Sequence, residues 1–293
     1  MIIVKLIGGL GNQMFQYAAA RRLAEKHSTI LKLDVTGFEE YKLHRYGLHC
    51  FQVMEYLATK SEIEFIRGNQ NILARIKRKV SCKIGFKGAG YRRWIFEKHF
   101  HFDPEILEAP NDVLLEGYWQ SEKYFIDIAD ILRREFVIKY KQDVQSHKFA
   151  ELIQNTESVS LHVRRADYVH DALTNNYFGN CDRDYYDRGV RFIGERIPDI
   201  HLFIFSDEPQ WAKDNLKFDF PVTFVDCNDA SRNFEDLRLM SLCKHNIIAN
   251  SSFSWWGAWL NSNANKIVVA PQRWFNDDTK NTKDLIPEKW IRL

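Results

Sequence analysis

From residue 157 onward, apolar runs of strand length alternate with segments of helix length, and this alternation constrains the fold more than any other feature. Strands are expected over Val159–Val163, His201–Phe205, Val222–Asp226, Asn246–Ala249 and Lys266–Ala270. Between them fall helices over Asp184–Arg196, Asn233–Lys244 and Ser252–Asn261, with a short one after Pro209. Elements of these lengths in this order build right-handed βαβ units and a parallel sheet. The N-terminal half begins the same way: strand Ile2–Ile7, a turn at Gly8–Gly11, helix Asn12–Lys26 and strand Ile30–Val35. Further on come a basic helical stretch near Glu62–Lys79, strand Val113–Leu115, a Gly117-Tyr118-Trp119 turn and a helix over Glu122–Glu135. The expected fold class is α/β with two Rossmann-like domains facing a cleft. Their boundary is placed within 140–157, where Lys139–Gln145 is polar. The segment from Phe275 is expected to lie back across the first domain.

Composition narrows the function classes. Apolar residues make up 45% of the 293, ample for packed cores. Lys and Arg number 41 against 39 Asp and Glu, so no nucleic-acid signal arises from net charge. The five cysteines (Cys50, Cys82, Cys181, Cys227, Cys243) show no CxxC pair or metal-ligand spacing, which fits reduced thiols in a cytoplasmic protein. No apolar run reaches transmembrane length. The stretch Arg75–Arg93 carries eight cations and no acid, interleaved with Phe86 and Tyr91. It reads as a solvated face or as peripheral contact with an anionic membrane.

Three motifs follow expected strands. His162-Val163-Arg164-Arg165-Ala166-Asp167-Tyr168 places two guanidinium groups at a strand end, where open sheets bind ligands. Such forks match phosphate oxygens, or else pair with carboxylates such as Asp167. Gly8-Gly9-Leu10-Gly11-Asn12-Gln13 sits between strand and helix, so backbone N–H groups can approach a phosphate or sugar. Met14 stands where a dinucleotide fingerprint wants glycine, although Asp34 would suit as its ribose acid, so an NAD(P)-dependent enzyme is the alternative reading. Asn250-Ser251-Ser252-Phe253-Ser254-Trp255-Trp256-Gly257 opens a helix; one serine suffices as N-cap, leaving other hydroxyls for phosphate. Trp255, Trp256 and Trp259 are core residues or, for one of them, a sugar platform.

Other acids have two readings each. Asp236, at helical spacing with Met240 and Cys243, either favours a helix first turn or contacts a base or ribose. Asp182-Arg183-Asp184 resembles a DxD metal motif but precedes a helix, where Asp184 serves as cap. Ser206-Asp207-Glu208 either meets a ligand hydroxyl or caps the Pro209 helix.

Together with Gly117–Phe125 and Phe205–Glu208, these motifs resemble those of the bacterial α-1,2-fucosyltransferases, glycosyltransferase family 11, in order from residue 2 to about 275. The resemblance implies a GT-B-like fold. Residues 1–150 would form the acceptor-side domain, 151–275 the GDP-fucose-binding domain, and 276–293 a segment packing back. It implies inverting transfer of L-fucose from GDP-fucose to a galactose 2-hydroxyl, without metal or cofactor. The acceptor would be a galactose-terminated oligosaccharide or lipid-linked glycan. A different nucleotide sugar is the alternative within that fold, and a nucleotide- or glycan-binding module without turnover the alternative outside catalysis. In the implied site Arg165 and Arg164 hold the diphosphate, His162 and Asp236 contact guanosine, and Ser251 and Ser252 bind phosphate. Gly9, Gly11 and Asn12 would lie near the transferred sugar. The α-1,6 enzymes carry a base a few residues past their Arg-Arg pair. Here Tyr168 and Ala172 hold the comparable places, leaving Asp167 and Asp171 as candidates.

Overall fold

A computed structural model of the chain describes residues 1–40, 44–67, 93–165, 179–277 and 279–293. It divides into two compact units, Met1–Phe136 and Val137–Leu293.

The first unit carries a four-stranded parallel sheet in the order β2-β1-β4-β3. Its strands are β1 (Ile2–Lys5), β2 (Leu31–Asp34), β3 (Trp94–Phe96) and β4 (Val113–Glu116). Residues Ile2, Ile3 and Val4 pair with Leu31, Lys32 and Leu33 on one side and with Val113, Leu114 and Leu115 on the other. Helix α1 (Leu10–Lys26) is buried over most of its surface, and its Ala18-Ala19-Ala20 centre is almost solvent-free. Small side chains there allow close packing. Tyr17 and Arg21 of α1 both bond to the Glu135 carboxylate, at 2.7 and 2.9 Å. On the amphipathic helix α2 (Lys60–Arg67), Ile63 and Ile66 pack against Ile3 and Leu114.

The helix expected over Glu122–Glu135 is broken. Two 3₁₀ turns, Glu122–Tyr124 and Ile126–Ile128, precede α3 (Ala129–Glu135). The break lets adjacent aromatics pack on different partners. Phe125 meets Phe15 of α1, while Tyr124 meets Phe102 and Trp119.

In the second unit a six-stranded parallel sheet runs β10-β9-β8-β5-β6-β7. Here β5 is Glu157–Val163, β6 Ile200–Ser206, β7 Val222–Val225, β8 His245–Ile247, β9 Val268–Ala270 and β10 Ile291–Arg292. Side chains alternate across it. Val159, Leu161, Val163, Leu202 and Ile204 face α5 (Arg183–Gly194) and α6 (Pro209–Asn215). Phe203, Phe205 and Val225 face α4 (Val144–Gln154) and α7 (Asn233–Leu242). Helix α8 (Ser252–Leu260) lies against α7, where a Cβ on Gly257 would come within 2.9 Å of Met240 Cβ.

Two boundary expectations change. The division falls at Phe136/Val137, and α4 joins the second unit because Ala150 and Ile153 complete its core. The C-terminal segment supplies β10 to that same sheet, pairing Ile291 and Arg292 with Val269 and Ala270. Trp255 fixes it further, donating Nε1–H to Leu285 O at 3.0 Å with its ring 5.4 Å from that of Trp290.

Candidate functional site

In chain order the second sheet reads 6-5-4-1-2-3, so its strand order reverses between β5 and β8. Ligands of open α/β sheets bind outside the carboxyl ends of strands at such a reversal. Two of the three sequence motifs leave the sheet at this crevice: Arg164-Arg165 after β5, and Asn250–Ser252 after β8. Leu161 pairs with Ile247, and continuing that register sets Val163 beside Ala249.

Both arginines have carboxylate partners, contributed by the turn after β6. Arg164 Nη1 lies 3.1 Å from Asp207 Oδ2. Arg165 donates its backbone N–H to Asp207 Oδ1 at 2.9 Å and its Nε–H to Glu208 Oε2 at 3.1 Å. Its guanidinium stacks over Trp211, 3.7 Å from the ring centroid. Ser206 Oγ accepts the Glu208 N–H at 3.0 Å. Asp207 and Glu208 therefore orient the arginine pair. The four charges of this cluster sum to zero. Among the described residues, the Nη nitrogens of Arg165 make no hydrogen bond.

His162 alternates onto the other face of β5, 6% exposed, with its ring 5.8 Å from that of Phe253. Burial first, then the Arg164 cation, push its pKa down to about 3, so the ring is neutral. Its buried Nδ1 has no hydrogen-bond partner among the described residues, which suits a contact with a polar ligand atom. Ser251 caps α8, accepting the Phe253 N–H at 3.3 Å, and Ser252 opens the helix. Trp255, Trp256 and Trp259 are buried and pack on one another, so they are core residues.

Asp236 stands in the first turn of α7, after β7. Its Oδ1 accepts from Asn228 Nδ2 at 2.7 Å, and burial raises its pKa to about 7. Glu235, which sequence reading passed over, is more deeply buried and pairs with Arg238 Nη1 at 3.4 Å. The acid-to-arginine spacing of three was its available signal.

Asp182, rather than Asp184, caps α5 by accepting the Tyr185 N–H, and Asp184 pairs with Arg188 one turn on. Among the described residues no cluster of three His, Cys, Asp or Glu could hold a metal ion. A cavity of ≈ 180 Å³ adjoins Asn250, Asp182, Arg188 and Arg273 and does not include the arginine pair. Asp167 and Asp171 lie outside the described residues. So does the basic stretch Arg75–Arg93 apart from Arg93, whose guanidinium is 5.4 Å from the Phe65 ring centroid.

The first sheet reverses between β1 and β4, and the glycine motif occupies that point. Gly8 needs its freedom: φ is +76°, and a Cβ would meet Asn12 Nδ2 at 2.6 Å. Gly9 is extended and acts as N-cap without a side-chain bond. Asn12 Oδ1 accepts from Gln120 Nε2 at 2.8 Å, joining the turns after β1 and β4. Gln13 is fully buried and structural: its Nε2 donates to Gly8 O and Arg45 O, and its Oε1 accepts the Gly47 N–H. Gln16 holds both main-chain groups of Ile7. The glutamines of the motif thus brace the turn. Gly11 lies buried in the first turn of α1. Asp34, the ribose acid of the dinucleotide alternative, is fully buried with Oδ1 bonded to Thr36 N and Oγ1.

Sequence reading also passed over Glu97. Glu97 accepts the N–H groups of Tyr118 and Trp119, both at 2.9 Å, and holds Trp119 at φ 56°.

Two parallel sheets of Rossmann type, with a motif-bearing reversal in each and paired guanidiniums beside a serine-capped helix start in the second, define a GT-B-like glycosyltransferase. The chain belongs to glycosyltransferase family 11, whose profile matches residues 1–293. It is 33% identical to an alpha-1,2-colitosyltransferase of Escherichia coli, over 100% of this chain and 99% of that one. It is 23% identical to galactoside alpha-(1,2)-fucosyltransferase 2 of Pongo pygmaeus, over 88% of this chain and 68% of that protein. In fold it is similar to an Arabidopsis thaliana FUT1 variant in complex with GDP, with a TM-score of 0.55, 10% identity and coverage of 91% and 69%.

Proposed function

We propose that the protein transfers L-fucose from GDP-fucose, with inversion, to the 2-hydroxyl of a terminal galactoside on an oligosaccharide or lipid-linked glycan. The observation that carries this reading is the arginine pair at the β5–β8 crevice beside the Ser251–Ser252 helix start. Breaking the bond between fucose C1 and the diphosphate leaves negative charge on the β-phosphate. The Nη groups of Arg165, Arg164, the serine hydroxyls and the N–H groups at the start of α8 are donors suited to that charge. His162 and Asp236 supply polar edges for the guanosine portion, and no metal is required. Each preorganised donor contributes about 3 kcal/mol to transfer.

Arg165→Ala therefore abolishes transfer in a protein that still folds, and EDTA leaves the wild-type rate unchanged. Near-wild-type turnover by the variant, or a strict Mn²⁺ requirement, refutes the assignment. The similarity to a colitosyltransferase favours a second reading, in which colitose is the transferred sugar. A donor panel of GDP-fucose and the corresponding colitose donor against β-galactosides, with product linkage read by NMR, separates the two. Protection against heat by NADH but not by GDP would instead support the dinucleotide alternative. Membrane contact through Arg75–Arg93 is tested by sedimentation with anionic vesicles at low salt.

A further inference from the structure

We propose that the recess at the carboxyl ends of β8, β9 and β10 seats one neutral pyranose of the acceptor glycan, the unit that carries the galactose to be modified. The proposal rests on the transferase reading given above, and the recess lies wholly within Val137–Leu293.

Its place in the sheet recommends it. Asn250 lines the recess from the end of β8, while Pro271 and Leu293 directly follow β9 and β10. The start of α5 closes the other side with Asp182, Tyr185 and Arg188. Ser251 and Ser252, next after Asn250, belong to the crevice between β5 and β8. Neighbouring strands stand about 4.8 Å apart, so the recess begins roughly one strand from that crevice.

Size narrows the ligand. An engineered cavity of about 150 Å³ holds benzene, so ≈ 180 Å³ has room for one six-membered ring. Sites for larger ligands run to roughly 300–1,000 Å³, which leaves a whole nucleotide too big for this one.

The lining then selects a polyol. Asn180 and Gln272 present exposed carboxamides that make no side-chain hydrogen bond among the described residues. A carboxamide both donates and accepts, as a sugar hydroxyl does. Asp182 spends Oδ1 on the Tyr185 N–H and keeps Oδ2 as an acceptor. Arg188 spends Nε on Asp184 and keeps its Nη groups as donors. A phosphate would face the Asp182 carboxylate, and a metal ion would face the guanidiniums of Arg188 and Arg273. Tyr185 uses its hydroxyl on Ile248 O and Val269 O, so its ring serves as apolar wall.

The frame is fixed before a ligand arrives. Asn250 Nδ2 donates to Gly179 O at 3.2 Å and to Trp274 O at 3.1 Å, tying the segment before α5 to the one after β9. Gly179 has φ +66°, and a Cβ on it would meet Asn276 Oδ1 at 2.6 Å. Arg273 donates to Phe275 O and Asn276 O, both at 3.1 Å, and the Gln272 N–H to Leu293 O at 2.8 Å. Fixed walls reduce the ordering that binding must impose.

The test uses the full chain with Asn180→Ala, Gln272→Ala and the double variant. All three are expected to melt with the wild type, since neither side chain is bonded within the described fold. With GDP-fucose or the colitose donor, whichever turns over, kcat/KM is measured for methyl β-galactoside and for β-1,3- and β-1,4-linked galactosyl disaccharides. The wild type is expected to prefer a disaccharide by about tenfold or more, and the double variant to lose that preference, the effect of about two neutral hydrogen bonds. Equal use of methyl galactoside and disaccharides by the wild type overturns the proposal. So does a preference kept in the double variant, and so does a rise in its donor KM, which would give the recess to the donor. Absence of turnover of any nucleotide sugar by the wild type overturns the transferase reading and this proposal with it.

Discussion

Removing the Glu97 carboxylate tests whether the turn after β4 is held in place or merely folds that way. Two main-chain N–H groups, those of Tyr118 and Trp119, end on its two oxygens at 2.9 Å each. Trp119 is a bulky residue at φ 56°, a region that costs about 1–2 kcal/mol for any residue with a Cβ. Gly117 makes the approach possible, since a Cβ there would stand 2.4 Å from Glu97 Cβ. In Glu97→Ala the buried Trp119 amide loses a charge-assisted bond worth about 2 kcal/mol. The exposed Tyr118 amide recovers a water and loses less than about 1 kcal/mol, for a total near 3 kcal/mol. Unfolding entropy of roughly 2.1 cal/mol/K per residue over Met1–Phe136 gives about 0.3 kcal/mol/K. The first unit should then melt about 10 °C lower in a calorimetric scan. Because Gln120 of the same turn bonds to Asn12, acceptor KM should rise as well. Glu97→Gln, with one acceptor oxygen left, should fall in between. A shift of less than about 2 °C for Glu97→Ala, too small for even one such bond, would show that the turn is held by its own packing.

Gly8→Ala should destabilise the first unit by about 2 kcal/mol or more, since it strains positive φ and drives Asn12 from Gln120; Gly9→Ala should leave the melting temperature unchanged, and equal effects in urea titrations would contradict the geometry. Asp236 has a folded pKa of about 7 against 3.8 unfolded, so the native state binds more protons between these values. Its contribution is therefore present below pH 4 and lost as pH rises to about 7. Asp236→Asn should flatten that decline, and an unchanged slope of melting temperature against pH would refute the burial assigned to this carboxyl.

The sheets were readable because their signal is local. Runs such as Val159–Val163 and His201–Phe205 are bounded by polar turns, and both became strands within two residues of expectation. What escaped was set by distant partners. Nothing within Glu122–Glu135 announces that Tyr124 and Phe125 serve different neighbours, so an unbroken helix was the natural expectation. Nor does Lys139–Gln145 reveal that α4 fills the core under Phe203 and Phe205. The glycine motif shows the same limit: its glycines announce a turn, while the duties of Gln13 depend on Arg45 and Gly47, more than thirty positions away.

The arginine motif turned on the same distinction between neighbours in sequence and neighbours in space. Sequence reading offered phosphate binding and carboxylate pairing as rivals, and the structure realises the pairing with Asp207 and Glu208. Yet pairing at Nε leaves the Nη edge of Arg165 as a donor edge, and stacking on Trp211 limits the guanidinium to one plane. A guanidinium at 19% exposure without such anchors would bear a desolvation cost and sample many rotamers. Orientation by acids before the ligand arrives removes that entropy from the binding step, which is how preorganised donors gain their strength. On the proposed function, carboxylate partners at this strand end are the means by which paired guanidiniums would be held ready for a diphosphate, so the two readings describe one device.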